Sequence, residues 1–190
     1  PVHWRLARAG RPVHGLIAGP MASGGSTALA RIGAGARQAG MRVLHVDLTG
    51  AGSAAGASAH EGIGEALRLT GRLKALTPAT AAPTVVLVDG HDALDARVVW
   101  ERLLRTSAAL KVSVVVRTHT LDAYHLGGAL VRDHLLAQGQ YLVLGRPSPD
   151  LRIAAQGLLE DYEPRTGWPG SGAGVYGLQG ASVPVQVQAP

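Results

Sequence analysis

A glycine-rich segment near the start of the chain has the residue types and the spacing of a phosphate-binding loop. Residues 19–27 read GPMASGGST and follow an apolar stretch. The phosphate-loop pattern is glycine, four residues, glycine, lysine, and then serine or threonine. Gly19 and Gly24 match this pattern, and Ser26 stands at the hydroxyl position that normally touches Mg²⁺. Gly25 stands at the position of the lysine, so the loop lacks its cation.

Backbone amides in such a loop form a nest for phosphate, and the helix that follows adds the positive end of its dipole. The predicted nucleotide-binding residues are Gly19, Ser23, Gly24, Gly25, Ser26 and Thr27. Lysine normally offsets charge on the β- and γ-phosphates during transfer. We therefore expect weak nucleotide binding and poor hydrolysis, and a glycine-rich turn without a ligand is the alternative.

A second segment, residues 84–92 with the sequence TVVLVDGHD, is an apolar strand that ends in an acid. Asp89 is predicted to orient Mg²⁺ together with Ser26. Many ATPases have glutamate at the next position to polarise water, and this chain has Gly90 there. A second catalytic group is thus missing. Alternatively, Asp89 caps a turn after the strand.

A third apolar run, residues 112–120 with the sequence VSVVVRTHT, ends in polar residues that should reach the same edge of the sheet. We predict Thr118 and His119 as a sensor of the γ-phosphate, and ordinary loop polarity is the alternative. The nearest approaches to a histidine cluster are His91 with Asp92, and His119 with His125. None has the spacing of a metal motif, so solvated or capping histidines are expected.

Apolar runs alternate with helical patterns along most of the chain. The predicted strands are 13–18, 41–48, 84–89, 112–117 and 141–144, and the predicted helices are 26–39, 61–76, 93–108 and 121–138. The pair Gly127 and Gly128 weakens the last helix, and a start at this pair is the alternative. Residues 49–60 should form a surface loop, and residues 174–179 and 183–188 should form a terminal hairpin with Pro184 in an edge strand. This order predicts an α/β fold, mainly a parallel sheet flanked by helices, with a C-terminal β-hairpin.

The composition sets broad limits. The 190 residues carry a net charge of +5 and no cysteine, so thiolate metal sites and disulfides are excluded and a cytoplasmic location is the default. No apolar run is long enough to span a membrane, so we expect no membrane insertion in this fragment. The first residue is proline, and we expect one domain over residues 1–190 that is a fragment of a longer multi-domain chain.

The segments above resemble the FtsK/SpoIIIE family of ring-forming translocases. The matching pieces are HGLIAGPMASGGSTALARI, VLVDGHDAL, VVVRTHTLDA and the closing LLAQGQYLVLGRPSPDLR, where LGRPSPD reads as a turn. The run DGHDAL is similar to the later ATPase modules of the type VII secretion ATPases EccC and EssC, several of which have degenerate phosphate loops. The resemblance implies a RecA-like P-loop NTPase core, ATP and Mg²⁺ as ligands, and partners that are other ATPase modules or copies in a ring or hexamer. It also implies association with a membrane through missing parts of the parent chain.

Three functions are compatible with these observations. The first is a degenerate ATPase module that serves ring assembly or docks a substrate such as a secreted protein. The second is an active DNA or protein translocase, which needs a cation from elsewhere. The chain has only Lys74 and Lys111, and Lys111 should lie at the opposite edge of the sheet. The third is a basic DNA-binding scaffold, suggested by the charge. For an arginine finger, Arg102, Arg105 and Arg132 are equal candidates.

Overall fold

The architecture is a mixed α/β sheet with helices on both faces, seen in a computed structural model that describes residues 2–47, 82–90, 97–164 and 171–188. The strands are β1 (Ala7–Arg8), β2 (Arg11–Pro12), β3 (Gly15–Ala18), β4 (Arg42–Asp47), β5 (Thr84–Asp89), β6 (Val112–Thr118), β7 (Gln140–Leu144), β8 (Ala173–Leu178) and β9 (Ala181–Gln186). The helices are α1 (Gly25–Gln38), α2 (Arg97–Leu110), α3 (Ala129–Leu136) and α4 (Pro149–Leu158).

The strand order places the phosphate-loop strand at the centre of the sheet. Within the described ranges, seven strands pair in the order β4-β5-β6-β3-β7-β8-β9. The first five run parallel, and β8 and β9 continue the sheet in antiparallel pairing. The predicted α/β fold with a mainly parallel sheet and a C-terminal hairpin is therefore confirmed. Because β6 lies between β3 and β5, the strand that ends in Asp89 does not touch the phosphate-loop strand directly.

Two apolar cores, one on each face, hold the sheet between its helices. On one face, Ala28 and Leu29 of α1 pack with Ile17 and Leu87. On the other face, Trp100, Leu103 and Leu104 of α2 pack with the opposite sides of β5 and β6. All six residues of β5 are buried, as expected for a strand that is covered on both faces.

The predicted elements agree with the observed ones where the pattern is strong and local. The strand predicted at 84–89 has those bounds, and α1 starts one residue before the predicted 26. Buried residues recur in α2 at Trp100, Leu103, Leu104 and Ser107, the spacing of one helical face. The predicted loop 49–60, the predicted helix 61–76, Lys74, His91 and Asp92 lie outside the described residues.

The helix predicted at 121–138 begins only at Ala129. Residues 121–128 form a turn in which the Tyr124 amide donates to Asp122 Oδ1 at 3.0 Å. Gly127 and Gly128 follow with φ of 86° and 115°, which a right-handed helix does not permit. The longer helix from 121 was therefore wrong over its first two turns, and the alternative start at the glycine pair is confirmed.

The segment interpreted as a simple LGRPSPD turn in fact opens helix α4, which the sequence analysis missed. Ser148 is the residue before the helix, and its Oγ accepts a hydrogen bond from the Leu151 amide at 3.2 Å. Pro149 and Asp150 follow in the first turn, where fixed φ and negative charge both favour a helix. The signal for this helix was present in the Ser-Pro-Asp order.

Replacing Ser148 by alanine is expected to lower the free energy of unfolding by about 1 kcal/mol, because the Leu151 amide loses its acceptor. Chemical denaturation followed by circular dichroism measures this loss. Ser148→Asp is the control and should keep most of the stability, since aspartate also caps. Equal losses for both variants would contradict a capping role.

The C-terminal hairpin is observed with its strands at Ala173–Leu178 and Ala181–Gln186, one or two residues earlier than predicted. Gln179 and Gly180 form the turn, with φ of 52° and 82°, as a two-residue hairpin turn requires. Pro184 lies in β9 at the edge of the sheet, where a missing amide costs no ladder hydrogen bond. No helix in the described part of the chain is long and apolar enough to cross a membrane.

A buried histidine just before β3 forms hydrogen bonds to strand β6 and helix α2. His14 is 4 % exposed, and its Nδ1 accepts a hydrogen bond from the Val114 amide at 3.1 Å. Its Nε2 therefore carries the proton and donates to Ser107 Oγ at 3.1 Å. Burial, and then the charge of His134, lower the pKa of His14 from its ordinary 6.5 to about 4.

The lowered pKa makes stability depend on pH. Below pH 6.5 the unfolded chain binds a proton at His14 that the folded chain refuses until about pH 4. The contribution of neutral His14 to the free energy of unfolding is therefore fully present above about pH 6.5. It decreases as the pH is lowered, by roughly 2 kcal/mol between about pH 7.5 and about pH 5. His14→Asn keeps an acceptor for the Val114 amide without titrating. Unfolding curves of this variant should lose that part of the pH dependence, and an unchanged slope would contradict the assignment.

Candidate phosphate-binding site

The loop between β3 and α1 has the alternating backbone conformations of an anion nest. Ala22 and Gly24 have φ of 59° and 98°, in the left-handed region. The Ser23 amide donates to Pro20 O at 3.3 Å, which closes a tight turn within the loop. Gly24 directly precedes the first residue of α1. Residues 19–24 therefore connect the end of β3 to α1, and residues 25–27 form the first turn of the helix.

The first turn of α1 presents the backbone groups that the sequence analysis assigned to phosphate. The amides of the first turn of any helix have no acceptor within the helix. Ser26 is exposed and Thr27 is half-buried, whereas Gly25 and Ser23 are buried. Ser23 Oγ has no hydrogen-bond partner among the described residues. The arrangement can hold an anion by its backbone, and it places a free hydroxyl inside the loop.

The end of β6 supports the base of the loop. The Gly19 amide donates to Thr118 O at 3.1 Å. The His119 ring lies 2.9 Å from Gly19 O, so its Nδ1 carries the proton and donates to this carbonyl. The Thr118 hydroxyl instead donates to Thr120 O at 2.9 Å, within its own turn. Both residues predicted as a phosphate sensor contact the backbone of Gly19, Thr118 through its carbonyl oxygen and His119 through its ring.

The segment before β8 closes the other side of the loop. The Gly172 amide donates to Ser23 O at 2.9 Å, and Ser171 Oγ donates to Ala22 O at 2.9 Å. Gly172 O in turn accepts from the Val187 amide at 2.7 Å. The C-terminal strands thus fix the loop through its carbonyl groups. This contact between distant parts of the chain has no signature in the loop sequence.

Three charged side chains stand in one row across the carboxyl ends of β4, β5 and β6. The strand register pairs Asp47 with Asp89 and Asp89 with Arg117. Residues paired in register point to the same face of a sheet. Their exposed fractions are only 6 %, 6 % and 7 %. Buried charges at the open edge of a sheet need partners, and in this row one guanidinium faces two carboxylates.

Arg117 joins this row to the phosphate loop. Its Nη1 lies 3.4 Å from Asp89 Oδ1. Its side chain also lies against Gly25, where an added Cβ would be 2.9 Å from the Arg117 Nε. Arg117 was not among the site residues predicted from the sequence. The signal was a lone arginine within a buried apolar strand, next to a loop that lacks its lysine.

The two predicted Mg²⁺ ligands, Ser26 and Asp89, differ in their surroundings. Asp89 Oδ1 is buried and makes no hydrogen bond within the described residues, so it keeps lone pairs for a cation. The guanidinium of Arg117 already lies beside that oxygen, although it is not aligned for a hydrogen bond. Ser26 stands at the start of α1, as the phosphate-loop pattern requires. Ser26 and Asp89 remain a predicted pair of Mg²⁺ ligands, with Arg117 as a competing cation.

The remaining sequence candidates lie on α2, on α3 and before β6. Arg102 is exposed on α2, and Arg105 pairs with Glu101 at 3.4 Å on the same helix. Arg132 pairs with Asp133 at 3.2 Å on α3. Lys111 directly precedes β6, at the end of the strand opposite to the loop. The described ranges hold no group of three or more metal-binding side chains.

The fold and the loop together define the class: a P-loop NTPase-type α/β domain. Solved structures with this fold include the cytoplasmic domain of EssC, at TM-score 0.67 and 15 % identity over 93 % of this chain and 39 % of that one. The cytoplasmic domain of the Thermomonospora curvata type VII secretion ATPase EccC is similar at TM-score 0.66 and 16 % identity, over 94 % of this chain and 24 % of that one. The resemblance in the sequence is thereby confirmed at the level of the fold.

A third similar structure contains a bound peptide. It is Thermomonospora curvata EccC, ATPases 2 and 3, in complex with a signal sequence peptide, at TM-score 0.58 and 17 % identity over 88 % of this chain and 37 % of that one. This chain therefore spans less than half the length of each of these three solved chains. No protein-family model matches the sequence. No curated protein sequence matches it.

Proposed function

We propose that this chain is a degenerate ATPase module of a larger, EccC- or EssC-like secretion ATPase. Its role is to assemble with sister modules or to dock a substrate, with weak nucleotide binding and little or no hydrolysis. The observation that carries the proposal is a phosphate loop with its backbone form and without its lysine. Ala22 and Gly24 keep left-handed φ values at the start of α1, and Gly25 has no side chain to reach a phosphate.

The missing groups argue against efficient hydrolysis. A charge-stabilising donor contributes about 10²–10³-fold to turnover in other enzymes. This chain lacks the lysine of the loop, and Gly90 follows Asp89 where a glutamate would polarise water. The missing glutamate concerns the transition state, whereas the missing lysine also weakens binding in the ground state, where only the backbone amides of the loop remain. An active translocase is the second candidate, and it requires a cation within reach of the loop.

The proposed partners of this chain are inferred from the similar solved proteins. EssC and EccC are multi-ATPase chains, and one EccC structure holds a signal sequence peptide. By analogy, we propose sister ATPase modules, or copies of this chain in a ring, as partners, and a secreted protein as the docked substrate. The parent chain would then be anchored at a membrane by parts that lie outside this sequence.

Titration of a fluorescent ATP analogue into the purified chain, with Mg²⁺ and with a chelator, tests the nucleotide part of the proposal. We expect weak saturable binding and a turnover below about 0.1 s⁻¹, at least about 100-fold under a typical enzyme. Gly24→Val should abolish the binding, because valine does not adopt the left-handed φ of 98°. Robust turnover would instead favour the active translocase, and Gly24→Val binding as well as the native chain would contradict the loop assignment.

A further inference from the structure

The space that a phosphate-loop lysine would start from is filled by another side chain. An added Cβ at Gly25 would lie 2.9 Å from Arg117 Nε and 3.0 Å from Arg117 Cγ. A Cβ at this position therefore requires the Arg117 side chain to shift. Glycine at position 25 is thus what allows Arg117 to lie across the start of α1.

Arg117 is also the cation nearest to the acid of the neighbouring strand. Its side chain is 8 % exposed, that of Asp89 is 9 % exposed, and 3.4 Å separates Nη1 from Oδ1. A guanidinium stays charged in any protein environment, so it must be balanced where it is buried. In the strand order, β6 brings Arg117 between the phosphate loop on β3 and Asp89 on β5.

We propose that Arg117 replaces the missing lysine as the phosphate-binding cation of this site, with Asp89 as its counter-ion instead of a Mg²⁺ ligand. The cation comes from the adjacent strand, and the glycine in the loop makes room for it. Arginine binds phosphate oxygens through two parallel N–H groups, so the ligand class remains the phosphate chain of a nucleotide. Because the charge of Arg117 stands beside Asp89 in the place of a metal ion, binding should not depend on Mg²⁺.

The replacement itself is tested by comparing the melting temperatures of the native chain, the two single variants and the double variant, all without nucleotide. Gly25→Lys alone should lower Tm by about 5 °C or more, because the new side chain collides with Arg117. Arg117→Ser alone should lower it by a similar amount, because Asp89 loses its counter-ion. The double variant should recover most of both losses, since the lysine then has room and faces Asp89.

The matched control is Gly25→Met combined with Arg117→Ser, which fills the same space without a charge. We expect it to stay as unstable as the worse single variant. Additive losses in the lysine double variant, or equal recovery by methionine and lysine, would overturn the proposal, since either outcome shows that charge is not exchanged between positions 25 and 117.

The ligand part rests on the proposed function and has its own measurement. Binding of the ATP analogue by the native chain should be equal within about twofold with Mg²⁺ and with chelator. Arg117→Ser should weaken it by about tenfold or more, as expected for a lost charge-assisted contact, and the lysine double variant should restore it. Unchanged affinity of Arg117→Ser would overturn the phosphate role of Arg117. Absence of binding by the native chain would instead refute the nucleotide part of the proposed function, and the melting temperatures would still decide whether Arg117 is the replacement cation.

Discussion

Replacing Asp89 by alanine is expected to lower the free energy of unfolding by about 3–5 kcal/mol, among the largest effects of a single substitution in this chain. Arg117 is buried with its Nη1 3.4 Å from Asp89 Oδ1, and alanine would leave its charge without this counter-ion. The loss comes from an uncompensated buried charge, so it should far exceed the worth of the packing contacts of the carboxyl group that is removed. Urea unfolding at neutral pH, followed by circular dichroism, measures it.

The chain offers a matched control in a second arginine–aspartate pair. Arg132 and Asp133 are 3.2 Å apart, and the Asp133 side chain is 63 % exposed. Because water solvates the remaining arginine there, Asp133→Ala should cost less than about 1 kcal/mol. If the two alanine variants were equally stable, the charge of Arg117 would have to be balanced without Asp89, and the arrangement proposed for the site would be wrong.

Replacing Gly172 by alanine is the second substitution with a large expected effect, about 2–5 kcal/mol. Its φ is +83°, which costs an alanine about 1–2 kcal/mol, and the added Cβ would overlap the carbonyl oxygen of Val187. Gly172 also donates to Ser23 O at 2.9 Å, so the strain would act on the phosphate loop. Denaturation measures the loss, and protease cleavage or hydrogen exchange at residues 19–24 measures the loosening of the loop.

The variant Gly10→Ala separates the cost of the left-handed φ from the cost of the Cβ contact. The φ of Gly10 is +76°, and a Cβ added there meets nothing within 4 Å. Gly10→Ala therefore carries the backbone strain alone, about 1–2 kcal/mol, and should leave the loop unchanged. A loss in Gly172→Ala no greater than that in Gly10→Ala would mean that the contact with Val187 relaxes freely.

The parts of the fold that the sequence predicted well depend on short-range patterns. The strand at 84–89 combines five apolar or β-branched residues with a terminal aspartate, and its bounds were predicted without error. Helix α1 follows from the phosphate-loop spacing, since that loop always opens a helix. In contrast, the helix predicted from 121 failed because two glycines with positive φ outweigh the apolar spacing around them.

In the candidate site, too, some residues could be selected from local spacing, whereas others depend on the tertiary fold. Gly19, Gly24 and Ser26 could be assigned from spacing alone, because the pattern describes one continuous piece of backbone. The contact of His119 with the Gly19 carbonyl depends on the end of β6 lying against β3, which no local pattern specifies. The same holds for Gly172, which reaches Ser23 only because β7 and β8 pair at the far side of the loop.

The sequence by itself determined the class of fold, the phosphate loop without lysine and the strand that ends in an acid. These are local properties, set by residue periodicity and by the conformations that glycine permits. Only the tertiary structure decided which cation stands beside that acid. Strand β6 inserts between β3 and β5, and this places Arg117 against both Gly25 and Asp89. The order of strands in a sheet is fixed by packing over the whole chain. The sequence therefore shows the absent lysine at position 25 and the arginine at position 117, but only the fold shows that the arginine fills the space of the lysine.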